Sequence, residues 1–417
     1  MSVQIWSIIG LVLIFLLATL RSVNMGAVAF LGTFLIGTFL VGDSADELFG
    51  GFPGDLFAVL VGVTMLFAIA KANGTVDWLI HAGVRAVRGR IALVPWVMFL
   101  VTSLLTMVGA VVPGAVAIMA PIGLNFAARY RINPMLMGLL IINGATAGGF
   151  SPISIFGGIT NGVVERSGLP GNPPLLWASQ FGFNLMLSVV VFFLFGGREL
   201  LGRKIDPESE SETSETDLQL DSQRVLTLTG LLFLAVGALA LEFDVGLLAL
   251  SIATVLCVLH PGTAKSSVAE VAWPTVLLIC GVVTYVSMME RVGTIEFLGA
   301  GVAGIGAPLL AAFVICLIGA AVSAFASTTG ILGALIPLAV PFLLTGQVGA
   351  IGMIIALTVS SSVVDSSPFS TSGALVVAGA PAELRDTVFR RLMIWGLSMI
   401  AVGPVVSCAL FVLPGVL

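Results

Sequence analysis

Residues 144–158 read GATAGGFSPISIFGG. They lie in a stretch apolar enough to form one unbroken membrane helix, yet they carry two serines, a proline and paired glycines. A proline inside a helix removes a backbone hydrogen bond and costs about 3 kcal/mol. As a single helix, residues 134–165 would extend about 48 Å, well beyond the roughly 30 Å of a bilayer's hydrocarbon core. The stretch therefore predicts a discontinuous helix. Ser151 followed by Pro152 reads as an N-cap with a first-turn proline, where a new helix begins. The glycines ahead of Ser151 are expected to let the backbone unwind, which is tolerated at membrane depth only where it lines a polar cavity. A half-helix that starts there offers free N–H groups and a positive dipole end to an anion. The competing reading is a packing kink filled by neighbouring helices.

Composition sets the surroundings of this break. The chain has 417 residues, 58% of them hydrophobic and 9% charged. An average soluble domain carries roughly 25% charged residues. Continuous apolar runs at 4–20, 26–42, 55–70, 174–197, 225–241, 244–259, 272–289 and 392–413 suit membrane helices and exclude a β-barrel. The first run has no basic residue before it and no small-residue cleavage site after it, so it is expected to remain as a helix. Cys257, Cys280, Cys316 and Cys408 are spread through apolar runs without metal-site spacing. His81 and His260 are the only histidines, which argues against a histidine metal site or a Ser/His/Asp hydrolase.

One hydrophilic segment, 199–224, reads as a cytoplasmic acidic linker between two halves, 1–198 and 225–417. The halves repeat each other. A shift of 216 residues places Ser367, Pro368, Ser370 and Gly373 on Ser151, Pro152, Ser154 and Gly157, and Gly330 and Pro337 on Gly114 and Pro121. A shift of 219 places VGTIEFL (292–298) on NGTVDWL (73–79) and Gly281 on Gly62. Each half then holds a re-entrant helical hairpin (92–130; about 306–344) and a broken helix (134–165; about 347–378). Five crossings per half make the second half inverted, as in duplicated transporters. With both termini outside and the linker inside, only Arg166 and Arg291 of the 17 basic residues fall outside.

The hairpins point to the same site. Ser327, Thr328 and Thr329 precede the second hairpin's returning helix, where the first has Val111, Val112 and Pro113 ahead of Gly114. Asp365 is the only ionisable residue near either break, and its repeat partner is Gly149. An acid at membrane depth is a functional candidate, as cation ligand or proton carrier. The alternative is a neutral, hydrogen-bonded Asp that props up the break. The expected substrate set is Ser151, Pro152, Ser154, Ser327, Thr328, Thr329, Ser367, Pro368, Ser370, Pro113 and Gly114. The expected cation-coupling set is Asp365, Gly149, Thr146 and Ser362.

GGFPGDLF (50–57), NGTVDWL, VRGRIALVPWVMFLV (87–101) and GGFSPISIFGGITN (148–161) resemble the MatC-type malonate and C4-dicarboxylate carriers of the ion transporter superfamily. The resemblance implies a homodimer with a scaffold and a moving transport domain, and an elevator-type transporter whose site lies between two hairpin tips and two broken helices. Its sodium symporters carry Ser-Asn-Thr at both tips. No asparagine stands at either tip here, so sodium and proton coupling both stay open. The expected protein is an all-α secondary carrier of a small dicarboxylate in a bacterial inner membrane, with no nucleic-acid partner and no cofactor beyond sodium ions. A cation/proton or arsenite-type antiporter is the alternative. An intramembrane enzyme would need a base near these serines, and no His, Lys or second acid is there. A channel is disfavoured because the hairpins would occlude its path.

Overall fold

The computed structural model describes residues 2–21, 23–76, 78–79, 82, 90–203, 221–241, 243–294, 297, 307–324, 328–344 and 346–414. Most of the linker (204–220), the basic stretch 83–89, residues 301–306 of its uncharged counterpart, and Ser327 lie outside these.

The first half begins with α1 (Val3–Arg21) and α2 (Met25–Ile36), the latter extended by a π-turn over Gly37–Val41. α3 (Ala45–Phe49) is a short surface helix closed by a capping box between Ser44 and Glu47. Hydrogen bonds from the Ser44 backbone and side chain hold the exposed Glu47 carboxyl below its usual range. α4 (Gly54–Ala72) follows, then the hairpin arms α5 (Val94–Met107) and α6 (Val112–Arg129). The interrupted helix is α7 (Pro134–Gly149) with α8 (Ile155–Arg166), and α9 (Pro173–Leu194) closes the half.

The second half has the same order. α10 (Ser222–Ala240), α11 (Val245–Leu259), the short α12 (Pro261–Ala269) and α13 (Trp273–Arg291) lead to hairpin arms α14 (Pro308–Ser323) and α15 (Thr328–Leu344). Then come α16 (Ala350–Val363), a 3-10 turn at Val364–Ser366, α17 (Thr371–Gly379) and α18 (Arg385–Ser407). Six of these segments are long and apolar enough to cross a membrane: α4, α6, α9, α13, the interrupted run 350–379, and α18 with its π-turn. α6, expected as one arm of a re-entrant hairpin, is thus long and apolar enough to cross, whereas α5 is shorter. The second hydrophilic boundary is tighter than expected, since α10 already begins at Ser222 with Asp221 as its N-cap.

The halves interlock through glycines. A methyl on Gly26 of α2 would collide with the Leu277 carbonyl of α13, and one on Gly281 would collide with the Gly26 carbonyl. The same contact recurs between α4 and α11. A methyl on Gly62 would lie 2.8 Å from the Gly246 carbonyl oxygen, and one on Gly246 would lie 2.6 Å from the Val59 nitrogen. Small residues let helix backbones approach closely where lipid supplies no hydrophobic drive. α1 and α10 are pinned in matching ways. Gln4 donates to the Val292 carbonyl (3.0 Å) while Ser7 meets Thr294 (2.7 Å), and Asn73 donates to Thr227 (2.6 Å). Gly74 and Gly293 have φ of 76° and 74°, a left-handed turn that explains the glycine in both NGT and VGT. Ion pairs Asp43–Arg291 (2.8 Å) and Lys71–Glu270 (3.2 Å) join the halves again.

Candidate functional site

Both breaks are built from one hydrogen-bond pattern. In the first, Ser151 N donates to the Gly148 carbonyl (3.0 Å) and Ser154 N to the Ser151 carbonyl (2.9 Å). In the second, Ser367 N donates to the Val364 carbonyl (2.9 Å) and Ser370 N to the Ser367 carbonyl (3.0 Å). The hydroxyls agree as well. Ser154 Oγ donates back to the carbonyls of Gly149 (2.5 Å) and Ser151 (2.6 Å), and Ser370 Oγ to those of Asp365 (2.5 Å) and Ser367 (2.7 Å). Those carbonyls have lost their helical partners, so each serine staples its break shut.

This geometry corrects the expected helix starts. Neither Ser151 nor Ser367 is the N-cap: the new helices begin three residues later, with Ser154 and Ser370 in the cap position at extended ψ. Each Ser-Pro instead forms a turn in which the serine hydroxyl accepts from the backbone two residues on, Ile153 N (3.4 Å) and Phe369 N (3.2 Å). Because Ser154 and Ser370 spend their hydroxyls on the turn, neither caps its helix with a side-chain bond.

The glycine expectation is corrected too. Gly144, Gly148 and Gly149 are not unwound but helical members of α7. They exist for contact with the hairpin. A methyl on Gly144 would collide with the Phe99 carbonyl, and one on Gly148 with that of Ser103, while one on Gly149 would lie 2.7 Å from a Val112 methyl. The glycines the break requires come after it: a methyl on Gly157 would strike the Ser151 carbonyl, and one on Gly373 the Ser367 carbonyl. The repeated Ser-Pro-x-Ser-x-x-Gly is thus one structural unit used twice.

Gly149 against Val112 puts the tip of the first hairpin at the level of the first break. In the second half the outgoing hairpin arm α14 packs on the 364–366 turn, and α7 touches the same turn. The arms also exchange halves: α6 packs on α17, and α15 on α8. Ser151, Ser154, Ser367, Ser370, Thr146, Ser362, Thr328 and Thr329 are all buried. Gly149 and Pro368 are buried, Pro113 and Pro152 half-buried, and Gly114 exposed. Ser323 and Thr328 bond to each other across the second tip at 3.0 Å.

The two helix starts differ in charge. The buried Asp365 carboxylate accepts from Ser372 Oγ at 2.6 Å, in the first turn of α17. It occupies the positive end of that helix. The first half places Gly149 and Phe156 at the corresponding positions, so the start of α8 carries no acid. Neither 132–165 nor 325–384 contains a lysine or arginine, which leaves helix starts, hydroxyls and the Asp365 carboxyl as the polar groups at the breaks. Sequence reasoning missed Ser372, which lacks a polar counterpart in the first half. It also missed three polar bridges in apolar runs: Gln180 to Thr358 (2.8 Å), Asn143 to Ser188 (3.1 Å) and Ser360 to Ser407 (2.7 Å). A buried Gln or Asn in an apolar run was the available signal for the first two.

Residues 1–149 match the family model described as the dicarboxylate carrier protein MatC N-terminus. That region holds three of the four stretches carrying the resemblance and ends at Gly149, just before the first break. No curated protein matches the chain. Among solved structures, the YdaH transporter of Alcanivorax borkumensis is similar over 87% of this chain and 86% of its own, with a TM-score of 0.58 and 14% identity. At that identity the likeness speaks for fold. Both comparisons lead to transporters and neither to an enzyme. The first 149 residues match the MatC N-terminal family, and the chain as a whole shares the fold of a membrane transporter.

Proposed function

We propose that the protein is a secondary active carrier of a small dicarboxylate, malonate or a C4 acid, coupled to a sodium or proton gradient. The family match over residues 1–149 supports the substrate class. The observation that carries the reading to a site is the start of α8: a helix beginning at a buried break, with no acid beside it and no side-chain cap on its first turn. One carboxylate of the substrate is held there by backbone N–H groups and the helix dipole, worth about 0.3–2 kcal/mol before hydrogen bonds are added. Ser151, Pro152 and Ser154 shape that cradle, and Pro113 and Gly114 of the hairpin complete the proposed set on this side. The second carboxylate faces the α17 side, with Ser367, Pro368, Ser370, Thr328, Thr329 and Ser327. There Asp365 already holds the positive helix end, so binding requires a cation or a proton on Asp365. Gly149, Thr146 and Ser362 complete the proposed cation-coupling set. This requirement is the physical basis of coupling.

The two halves act as inverted repeats, both termini lie outside, and the transport part slides against a scaffold in a homodimer. The matched sequence positions, helix order and break geometry support the repeat. The alternative, a cation/proton or arsenite-type antiporter, is favoured by a single observation: the only acid at the breaks is buried and hydrogen-bonded. Uptake of labelled malonate, succinate and fumarate into proteoliposomes, with imposed sodium or proton gradients, separates the two. Gradient-driven accumulation of a dicarboxylate is expected. Cation exchange without any dicarboxylate uptake would favour the antiporter.

A further inference from the structure

Four arginines converge on one cavity at the far end of α7 from the first break. The cavity, about 730 Å³, is walled by the turn between α6 and α7, by the end of α9 with the 3-10 turn that follows it (Gly197–Leu200), and by α18. Arg131, Arg198, Arg203 and Arg391 all line it, and Glu199 is the acid among its lining residues, which leaves an excess of three positive charges. Among the described residues, none of the four arginines is in an ion pair. α7 begins in the cavity wall with Pro134, and its 16 residues put the first break about 24 Å away. The cavity is therefore distinct from the site assigned to the substrate.

Each arginine is placed by a different contact. Arg203 donates to the carbonyls of Tyr130 (2.8 Å) and Arg131 (3.4 Å), which fixes the turn at the end of α6. The Arg198 guanidinium lies 5.0 Å from the centre of the Phe193 ring. Arg391 is one turn from Trp395, whose ring meets that of Phe195 in the cavity wall at 5.9 Å. Arg131 has a φ of 51° and is the one non-glycine with left-handed backbone among the described residues. The matching turn between α15 and α16 gives its left-handed position to Gly346 (φ 69°), and residues 345–349 carry no charge. The first half thus keeps a cation in a conformation that disfavours it, a cost that local structure does not explain.

The rim of the cavity is apolar. Phe193 and Leu194 belong to its wall and are exposed, as are Leu201 just past the 3-10 turn and Ile394 one turn from Arg391 on α18. A small soluble anion has no use for such a rim. A phospholipid offers a phosphate to the guanidinium groups and acyl chains to the apolar side chains beside them. The tendency of basic residues to collect on the cytoplasmic side accounts for arginines on this face, but not for their convergence on one cavity.

We propose that this cavity binds the headgroup of an anionic phospholipid, with its phosphate held by Arg131, Arg198 and Arg391 and its acyl chains along Phe193, Leu194 and Ile394. The planar fork of arginine suits the role, because it can bond two phosphate oxygens at once. The bound lipid bridges the α6–α7 turn of the first half and α18 of the second. In the proposed topology the cavity opens at the cytoplasmic leaflet. The inference depends on neither the substrate nor the coupling ion.

The delipidated full-length protein in neutral detergent can be titrated separately with phosphatidylglycerol, phosphatidylcholine and inorganic phosphate, with bound lipid counted by native mass spectrometry and thermal unfolding followed in parallel. Phosphatidylglycerol is expected to bind and raise the unfolding temperature, and the other two to do neither. Arg198→Gln and Arg391→Gln should each weaken that binding about fivefold. Arg21→Gln, at the end of α1 and outside the cavity, should leave it unchanged. Arg131→Gly separates the ligand from the fold: the lipid-free protein should be as stable or more so, because glycine suits the turn, yet bind the lipid more weakly. Equal weakening by Arg21→Gln would mean diffuse attraction to the whole face. An equal response to inorganic phosphate would mean an anion site without lipid. Lipid binding that appears only when Glu208, Glu210 and Glu212 are changed to Gln would make the acidic linker the occupant. Each of these three results overturns the proposal.

Discussion

At the residue scale, Gly157 and Asp365 carry opposite lessons. Gly157 is a glycine because the Ser151 carbonyl occupies the space its side chain would need. Gly157→Ala should therefore force the turn apart and lower stability by about 1–3 kcal/mol. Gly182→Ala is the control, since no atom lies within 4 Å of a methyl there, and it should be neutral or stabilising by about 1 kcal/mol through helix propensity. Thermal unfolding of the solubilised protein reads both. Equal losses would mean that Gly157 is not a contact position. Asp365 is different because its neighbour Ser372 can bond either a carboxylate or an amide. Asp365→Asn should keep the fold and abolish gradient-driven accumulation, while Ser372→Ala should lower stability and retain coupling. Proteoliposome uptake with and without a gradient separates these outcomes. A fully coupled Asp365→Asn protein would leave Asp365 a prop for the break.

At the element scale, the break was legible in the sequence and its hinge was not. Serine, proline and membrane length located the interruption and its repeat within a few residues. They misplaced the N-cap because a Ser-Pro pair fits two structures, a helix start or a turn ahead of one. The choice between them rests on Ser154 and Ser370, whose hydroxyls close the turn on carbonyls five and three residues back. The glycines ahead of the break were misread because their cause is tertiary. Nothing local shows that the carbonyls of Phe99 and Ser103 press on Gly144 and Gly148. Ser154→Ala and Ser370→Ala should each strand buried carbonyls and cost about 1–3 kcal/mol. Ser151→Ala should cost less, because its hydroxyl makes one long bond of 3.4 Å. A thermal-stability ranking with Ser151 as the most sensitive would refute this account of the hinge.

At the scale of the whole molecule, the all-helical class and the internal sequence match were legible because both follow from hydrophobic length and repeated motifs. The interlocking of the halves was not, although Gly62 and Gly281 were visible as a matched pair. A match says that two positions do the same work, and only the fold shows that each glycine serves the opposite half: Gly281 against Gly26, Gly62 against Gly246. This exchange ties the two halves to each other, with α2 on α13 and α11 on α4. In the proposed topology, with an odd number of crossings per half, the ends of α4 and α13 fall on opposite membrane faces and carry their ion pairs with them, Lys71–Glu270 on the inside and Asp43–Arg291 on the outside. Two exposed positions test the arrangement, Asp46 on α3 beside the second pair and Ser222 at the start of α10. Asp46→Cys should react with an impermeant maleimide in intact cells, and Ser222→Cys only after the membrane is opened, each above the background of the four native cysteines. Labelling of both from the same side would mean an even number of crossings between them. The second half would then run parallel to the first, and the inverted-repeat reading would fall.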